Sequence, residues 1–168
     1  WLTDEHPSTV SAIAWSQSNE LATACYGYVT FFDVVRKKVN QKLEWQGSLV
    51  SMVLSSDGDI VACGSQDNSV HFWRRATAKD AEMTGYPGKP TQLAFDQTGT
   101  LLATGGSDQV TVWSFLGDGP EGTLPGQLAL HPEPISSLAF SHRERLLASG
   151  SRDGSVVASF LKKDGDFN

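Results

Sequence analysis

Hydrophobic and polar residues alternate along this chain in short runs, and one such run is rewritten four times. Its clearest copy spans Ala62–Trp73: small apolar residues, a polar turn at Asp67, Asn68 and Ser69, then an alternating stretch that closes on Trp73. That pattern predicts two strands joined by a tight turn. Similar text stands at Ala103–Trp113 and Ala148–Ser159, and a degenerate copy at Ala22–Asp33. The copies recur at a period of about 40 residues, the spacing of a repeat architecture.

The alignment extends upstream of each copy. Val10–Ser16, Leu49–Ser55, Pro90–Asp96 and Ile135–Ser141 each predict a strand with corresponding bulky positions: Ile13, Met52, Leu93 and Leu138, then Trp15, Leu54, Phe95 and Phe140. Ala14, Val53, Ala94 and Ala139 lie between them. Successive strand side chains face opposite ways, so one face is bulky and the other lean. A strand apolar on both faces belongs between packed layers. A second strand follows in each copy, and the variable stretch after the third has room for a more exposed fourth, such as Lys42–Trp45. No apolar period of 3.6 persists, so essentially no helix is expected.

Four strands per unit and a Gly-Ser-x-Asp…Val-x-x-Trp signature resemble the WD-repeat (WD40-type) family of β-propellers over roughly residues 6–160. The resemblance implies an all-β chain of four-stranded antiparallel blades at about 6–45, 46–86, 87–130 and 131–161, with 1–4 as an outer strand of a neighbouring blade. Because such rings usually close with about seven blades, the expected architecture is part of a larger ring of that size. A closed ring of four, with Trp1–Thr3 completing the last blade, and two copies sharing one eight-bladed ring are the alternatives.

Family blades often share a network of His, Ser/Thr, Asp and Trp. Carried onto this chain, the first copy offers His6 and Thr23, and the second Asp67 and Trp73, with Trp45 at the His position and Cys63 for Ser/Thr. The third offers Thr104, Asp108 and Trp113 with Tyr86 for His, in a turn one residue shorter, and the fourth His131, Ser149 and Asp153 with Ser159 for Trp. No copy has the full set.

Charge narrows the partners. The 168 residues carry 13 basic and 19 acidic side chains, a net −6, and the basic ones form no stripe. Nucleic-acid binding is therefore not expected, since phosphate neutralisation supplies most of that affinity. No apolar run is long enough to span a membrane, and the N-terminus lacks signal-peptide features. Cys25 and Cys63 sit in strand text without metal-ligand spacing and read as small buried thiols of a cytoplasmic, reducing environment.

Candidate chemistry mostly dissolves into repeat structure. Asp67, Asp108 and Asp153 recur in register, which suits turn capping better than acid–base work. The four histidines and two cysteines lack converging metal spacing, so neither metal nor cofactor is expected. The Gly117, Gly119, Gly122 string resembles a dinucleotide fingerprint, but Pro120 and Pro125 forbid the helix it requires, so it reads as a surface loop. Asp164, Asp166 and Asn168 start like a calcium loop but lack its Gly and Glu, and read as a frayed acidic tail.

What remains is a recognition surface. The resemblance implies that partners dock on the face bearing the second-to-third strand turns and the blade-opening loops. The residues before the turn Asp are Tyr26, Gln66, Ser107 and Arg152. Those flanking the first apolar residue of each blade are Thr9, Ser11, Ser48, Val50, Lys89, Thr91, Pro134 and Ser136. Tyr26 and Arg152 lead, since aromatics and Arg carry most interface energy. The expected function is a non-catalytic scaffold for protein or peptide partners; a propeller enzyme, or a small-ligand or metal binder using the central channel, is the alternative. Further blades of a longer chain, or a second copy, are expected as structural partners.

Overall fold

A computed structural model describes residues 1–167. Thirteen strands and no helix are found among them: β1 (Ala12–Trp15), β2 (Glu20–Asp33), β3 (Lys38–Leu54), β4 (Ile60–Ser65), β5 (Val70–Arg74), β6 (Lys79–Met83), β7 (Gln92–Phe95), β8 (Leu101–Gly105), β9 (Gln109–Ser114), β10 (Gly126–Ala129), β11 (Ile135–Phe140), β12 (Leu146–Ser151) and β13 (Val156–Phe160). All pairings are antiparallel.

Two of these strands are longer than the repeat predicts. β2 contains both the second and third strands of the first sheet, reversing at Gly27, where φ is 93°. Cys25 Sγ approaches Tyr28 O at 3.8 Å, although residues three apart in an extended chain are separated by about 10 Å. His6 likewise touches both Thr23, at 3.2 Å, and the ring of Phe32. β3 begins as the outer strand of the first sheet and runs on as the inner strand of the second, so six strands join in one ladder. The remaining sheets are β7–β10 and β11–β13, the last having three strands.

The lean and bulky faces account for the packing. Ala22, Ala24, Val29 and Phe31 of the first sheet meet Val61, Cys63, Trp73, Met52 and Leu54 of the second. Ala62, Val70 and Phe72 then meet Leu93, Phe95, Leu102 and Trp113 of the third. Ala103, Val110 and Val112 meet Ile135, Leu138, Phe140 and Leu147 of the fourth. Four sheets thus share three cores among the described residues, each a lean face against a bulky one. The array is propeller-like and is not closed.

The C-terminal tail corrects one expectation. Instead of fraying, it folds back: Leu161 bridges Phe167, and both pack into the third core. Gly165 sits against Leu101 and Val112. The apolar Leu161 and Phe167 supply the driving force, which the acidic residues between them mask in the sequence. Asp164 accepts a hydrogen bond from Asp166 N, closing the reversal; Asn168 lies outside the described residues.

Candidate partner-binding rim

The sites of the predicted repeat networks differ from blade to blade. In the fourth, His131 is buried and its two ring nitrogens lie 2.8 Å from the hydroxyls of Ser149 and Ser155. Asp153 accepts Ser155 N, and those hydrogen bonds from Ser155 hold its carboxyl below the usual range. In the third, Tyr86 replaces His: its hydroxyl accepts Trp113 Nε1–H at 2.7 Å and meets the Thr104 hydroxyl at 3.1 Å. Burial pushes the Tyr86 phenol up to about 12. Asp108 departs from the expected pattern. It is exposed and makes no hydrogen bond among the described residues, because the shortened turn leaves Ser107 Oγ to accept Gln109 N.

The second sheet uses an arrangement that residue matching does not reveal. Trp45, at the His position, stacks on His71 at 3.7 Å, and His71 meets Trp73 edge-on at 4.4 Å. Trp45 Nε1 and both ring nitrogens of His71 have no hydrogen-bond partner among the described residues. His71 Nε2 faces Asp80 Oδ2 at 3.2 Å. Burial nevertheless dominates and holds the imidazole below its usual value, against the pull of Asp80 and Glu82. The available signal was reciprocal: this copy loses the blade-opening His and gains one on its third strand. Asp67 serves its own turn, accepting Ser69 Oγ–H at 2.7 Å and Ser69 N–H.

The rim residues form one connected line. Tyr26 N–H donates to Ser8 Oγ at 2.9 Å, and Tyr26 is paired across the ladder with Ser48. Gln66 N–H donates to Ser48 O at 2.9 Å, which ties the second turn to the first. Ser51 Oγ–H reaches Pro90 O at 2.7 Å, bringing Lys89 and Thr91 beside the second sheet. Ser107 O accepts Ile135 N–H, and Pro134 O accepts Arg152 N–H. Ser11 N–H donates to Ala24 O, with Thr9 exposed just before it.

Two features aim this line outward. The ladders skip a residue at Leu49/Ser51 and at Ile135/Ser137, so Val50 and Ser136 occupy equivalent bulges, a device that re-aims a strand's side chains. Gly64 and Gly106 let the backbones touch: a Cβ on Gly64 would strike the Pro90 carbonyl, and one on Gly106 the Lys89 carbonyl. Tyr26, 59% exposed, borders an open groove of about 810 Å³ lined also by Tyr28, Lys42, Glu44, Trp45 and Gln46. Lys42 Nζ lies 3.5 Å from the Tyr28 ring centroid. Sequence reasoning placed Tyr26 but not this groove, because the outer strand that lines it varies between copies.

At the other end of the inner strands, a cavity of about 270 Å³ gathers Gln17, Leu54, Phe95, Asp96, Phe140 and His142 from all four sheets. Asp96 is occupied there by its own turn, accepting Thr98 Oγ–H, Thr100 N–H and Leu101 N–H.

These sheets define a repeat protein of propeller type whose connected turns make one rim. The model of the WD domain, G-beta repeat, matches residues 38–74, 80–114 and 122–157, and the chain belongs to that family. Each match begins on or shortly before an outer strand and ends on the third strand of the next sheet, so the repeat is offset from the folded sheet. Of the first sheet, only the outer strand falls inside a match. Telomerase protein component 1 of Mus musculus is 33% identical over 135 residues, and that of Rattus norvegicus 32%; each alignment covers 76% of this chain and 5% of the relative. The chain therefore spans about a twentieth of the curated relatives it matches. The crystal structure of the computationally designed Ika4 protein superposes with a TM-score of 0.77 at 22% identity, covering 96% of both chains.

Proposed function

We propose that this chain is a non-catalytic scaffold that binds a protein or peptide along the rim running from Tyr26 through Ser48, Gln66, Lys89, Thr91 and Ser107 to Arg152. The carrying observation is the connected rim itself, whose backbones are tied from sheet to sheet while Tyr26, Gln66, Thr91 and Arg152 stay exposed. A rigid row of this kind loses little order on binding, which leaves more of the contact energy as affinity. Two of the three turn carboxylates beside the rim, Asp67 and Asp153, are engaged in turn hydrogen bonds. The net charge of −6 favours a protein over a nucleic acid. The relatives' name makes a protein of a telomerase assembly the first partner to try. The free, buried Cys25 and Cys63 suit a reducing, cytoplasmic setting.

The test is selection from a displayed random-peptide library on the immobilised chain, followed by affinity measurement of the enriched peptides. Tyr26→Ala with Arg152→Ala should weaken binding at least tenfold, while Lys37→Ala with Lys38→Ala, on the turn at the opposite end of the strands, should not. Equal affinity for wild type and the rim variant would remove the proposed face.

A further inference from the structure

The open groove of about 810 Å³ beside Tyr26 has a structural cause. Across the ladder Tyr26 pairs with Ser48 and Tyr28 with Glu44, so Gly27 alone faces Trp45, Gln46 and Gly47. Three residues against one bow β3 away from β2, as a bulge does. The opening leaves Tyr26, Glu44 and Gln46 exposed and Trp45 half-buried along it. Lys42 Nζ lies 3.5 Å from the Tyr28 ring centroid, so the groove already holds one cation against an aromatic face, while Tyr26 and Trp45 carry none among the described residues.

This exposure does not depend on what stands before the first sheet. Phe32 and Trp73 are equivalent, which places Glu82 and Thr84 of the second sheet where Lys42 and Glu44 stand in the first. Both are exposed although the first sheet packs on that side of the second, against Trp73.

Charge is divided unequally between the two ends of the strands. Asp4 and Glu5 open the first sheet, Glu44 and Glu82 lie near the rim ends of β3 and β6, Asp67, Asp108 and Asp153 occupy turns, and Glu133 opens the fourth sheet. Against these eight of the 19 carboxylates, the rim end has three of the 13 basic side chains, Lys42, Lys89 and Arg152. The opposite end is close to neutral, and every Lys or Arg ion pair among the described residues is there: Asp33 with Arg36, Glu20 with Arg75, Glu121 with Arg74 and Lys79, and Asp166 with Lys162. At the rim only Asp153 approaches a cationic group, His131, at 4.0 Å. The excess is steepest over the first two sheets, where Lys42 is the one basic side chain among the five carboxylates Asp4, Glu5, Glu44, Asp67 and Glu82.

We propose, resting on the rim reading above, that the partner is a basic peptide segment, one of whose Arg or Lys side chains enters the groove over Tyr26 and Trp45 with Glu44 as its counter-charge. A cation over an aromatic face gains from the ring quadrupole, and an acidic end with no basic side chains paired to it draws a basic segment in and fixes its register. Lys89 and Arg152 repel further basic residues at the other half of the rim, so the basic part of the segment lies over the first two sheets.

Peptides selected from a displayed random library on the 168-residue chain test this through their composition and their response to charge. Enriched peptides should be richer in Arg and Lys than the unselected library. Glu44→Gln, a change of charge at an exposed site, should weaken them about fivefold, and Glu44→Lys more than tenfold. Glu144→Gln, an exposed carboxylate at the opposite end, should leave them unchanged. Exchanging the peptide's basic residue for Gln should cost wild type the same factor and cost Glu44→Gln little further. Uncharged or acidic binders that are lost on Tyr26→Ala with Arg152→Ala would overturn the basic partner and leave the rim reading standing. Basic binders indifferent to Glu44→Gln and Glu44→Lys would overturn the groove as their site. Binders of any charge indifferent to the Tyr26→Ala, Arg152→Ala variant, or a selection that enriches nothing, would remove the rim and this proposal together.

Discussion

Replacing Tyr86 with Phe removes one oxygen from the third sheet and leaves its ring in place. That oxygen accepts the indole N–H of Trp113 at 2.7 Å and meets the Thr104 hydroxyl at 3.1 Å. Thr104 is fully buried but also donates to Thr111 O at 3.2 Å, so it keeps a partner. Trp113 Nε1–H, on a side chain only 9% exposed, loses its hydrogen bond. A buried donor left without a partner costs about 1–3 kcal/mol. Taking about 2 kcal/mol, the melting temperature of a chain this size should fall by about 4–8 °C. Urea unfolding of wild type, Tyr86→Phe, Trp113→Phe and the double variant measures both the loss and its origin. If the bond is responsible, the double variant should lose less than the sum of the singles by about 1 kcal/mol. A Tyr86→Phe loss below about 0.5 kcal/mol, or strict additivity, would refute the reasoning.

Other expectations follow from single sites. Gly64→Ala should destabilise the fold by about 1–3 kcal/mol, because its Cβ meets the Pro90 carbonyl rather than a movable side chain; denaturant midpoints report it, and a neutral result would mean the second and third sheets are not held so closely. His71 is depressed from 6.5 by burial. Its neutral form therefore favours the folded state above that value, and stability should fall as pH drops from 6.5 towards the folded value. His71→Phe should flatten that limb of the stability–pH curve, and an unchanged slope would count against the burial argument. Arg75 donates to Gln41 Oε1, Gly58 O and Glu20 Oε2 and lies 3.7 Å over the Phe31 ring. Arg75→Met should cost about 1–3 kcal/mol at neutral pH. Burial raises the Glu20 carboxyl, but hydrogen bonds from Asn40 and Arg75 prevail and hold it below 4.5. The charged pair therefore contributes above that pH, and the penalty of Arg75→Met should shrink as acid protonates Glu20 in the folded state.

The strands were legible because their causes are local. Alternation, turn residues and a lean-and-bulky inner strand recur in each copy, and DNS, SDQ and RDG turns stand where the chain reverses. Even the first three strands of the first sheet, which lie outside the family matches, could be aligned through Ile13 and Trp15. The rim was legible for the same reason: its residues sit at fixed offsets from repeated ones, as Gln66 does from Asp67. Their partner chemistry was not, because the copies differ at those positions.

Other features depended on residues far apart in sequence. The stacking of Trp45 on His71 joins positions 26 apart on β3 and β5, between which β4 lies in the sheet. The tail was hidden because Phe167 finds its apolar surroundings only once β8, β9 and β12 have assembled. Above all, alternation along a strand says that both faces are apolar but not whether both are covered. Val70 and Val156 read alike in the sequence, yet one is buried and the other 75% exposed. Sequence determined the sheets, whose hydrogen bonds and turns are settled within each repeat. Tertiary structure alone decided which faces meet, because burial is a property of neighbours and not of the strand that carries the residue.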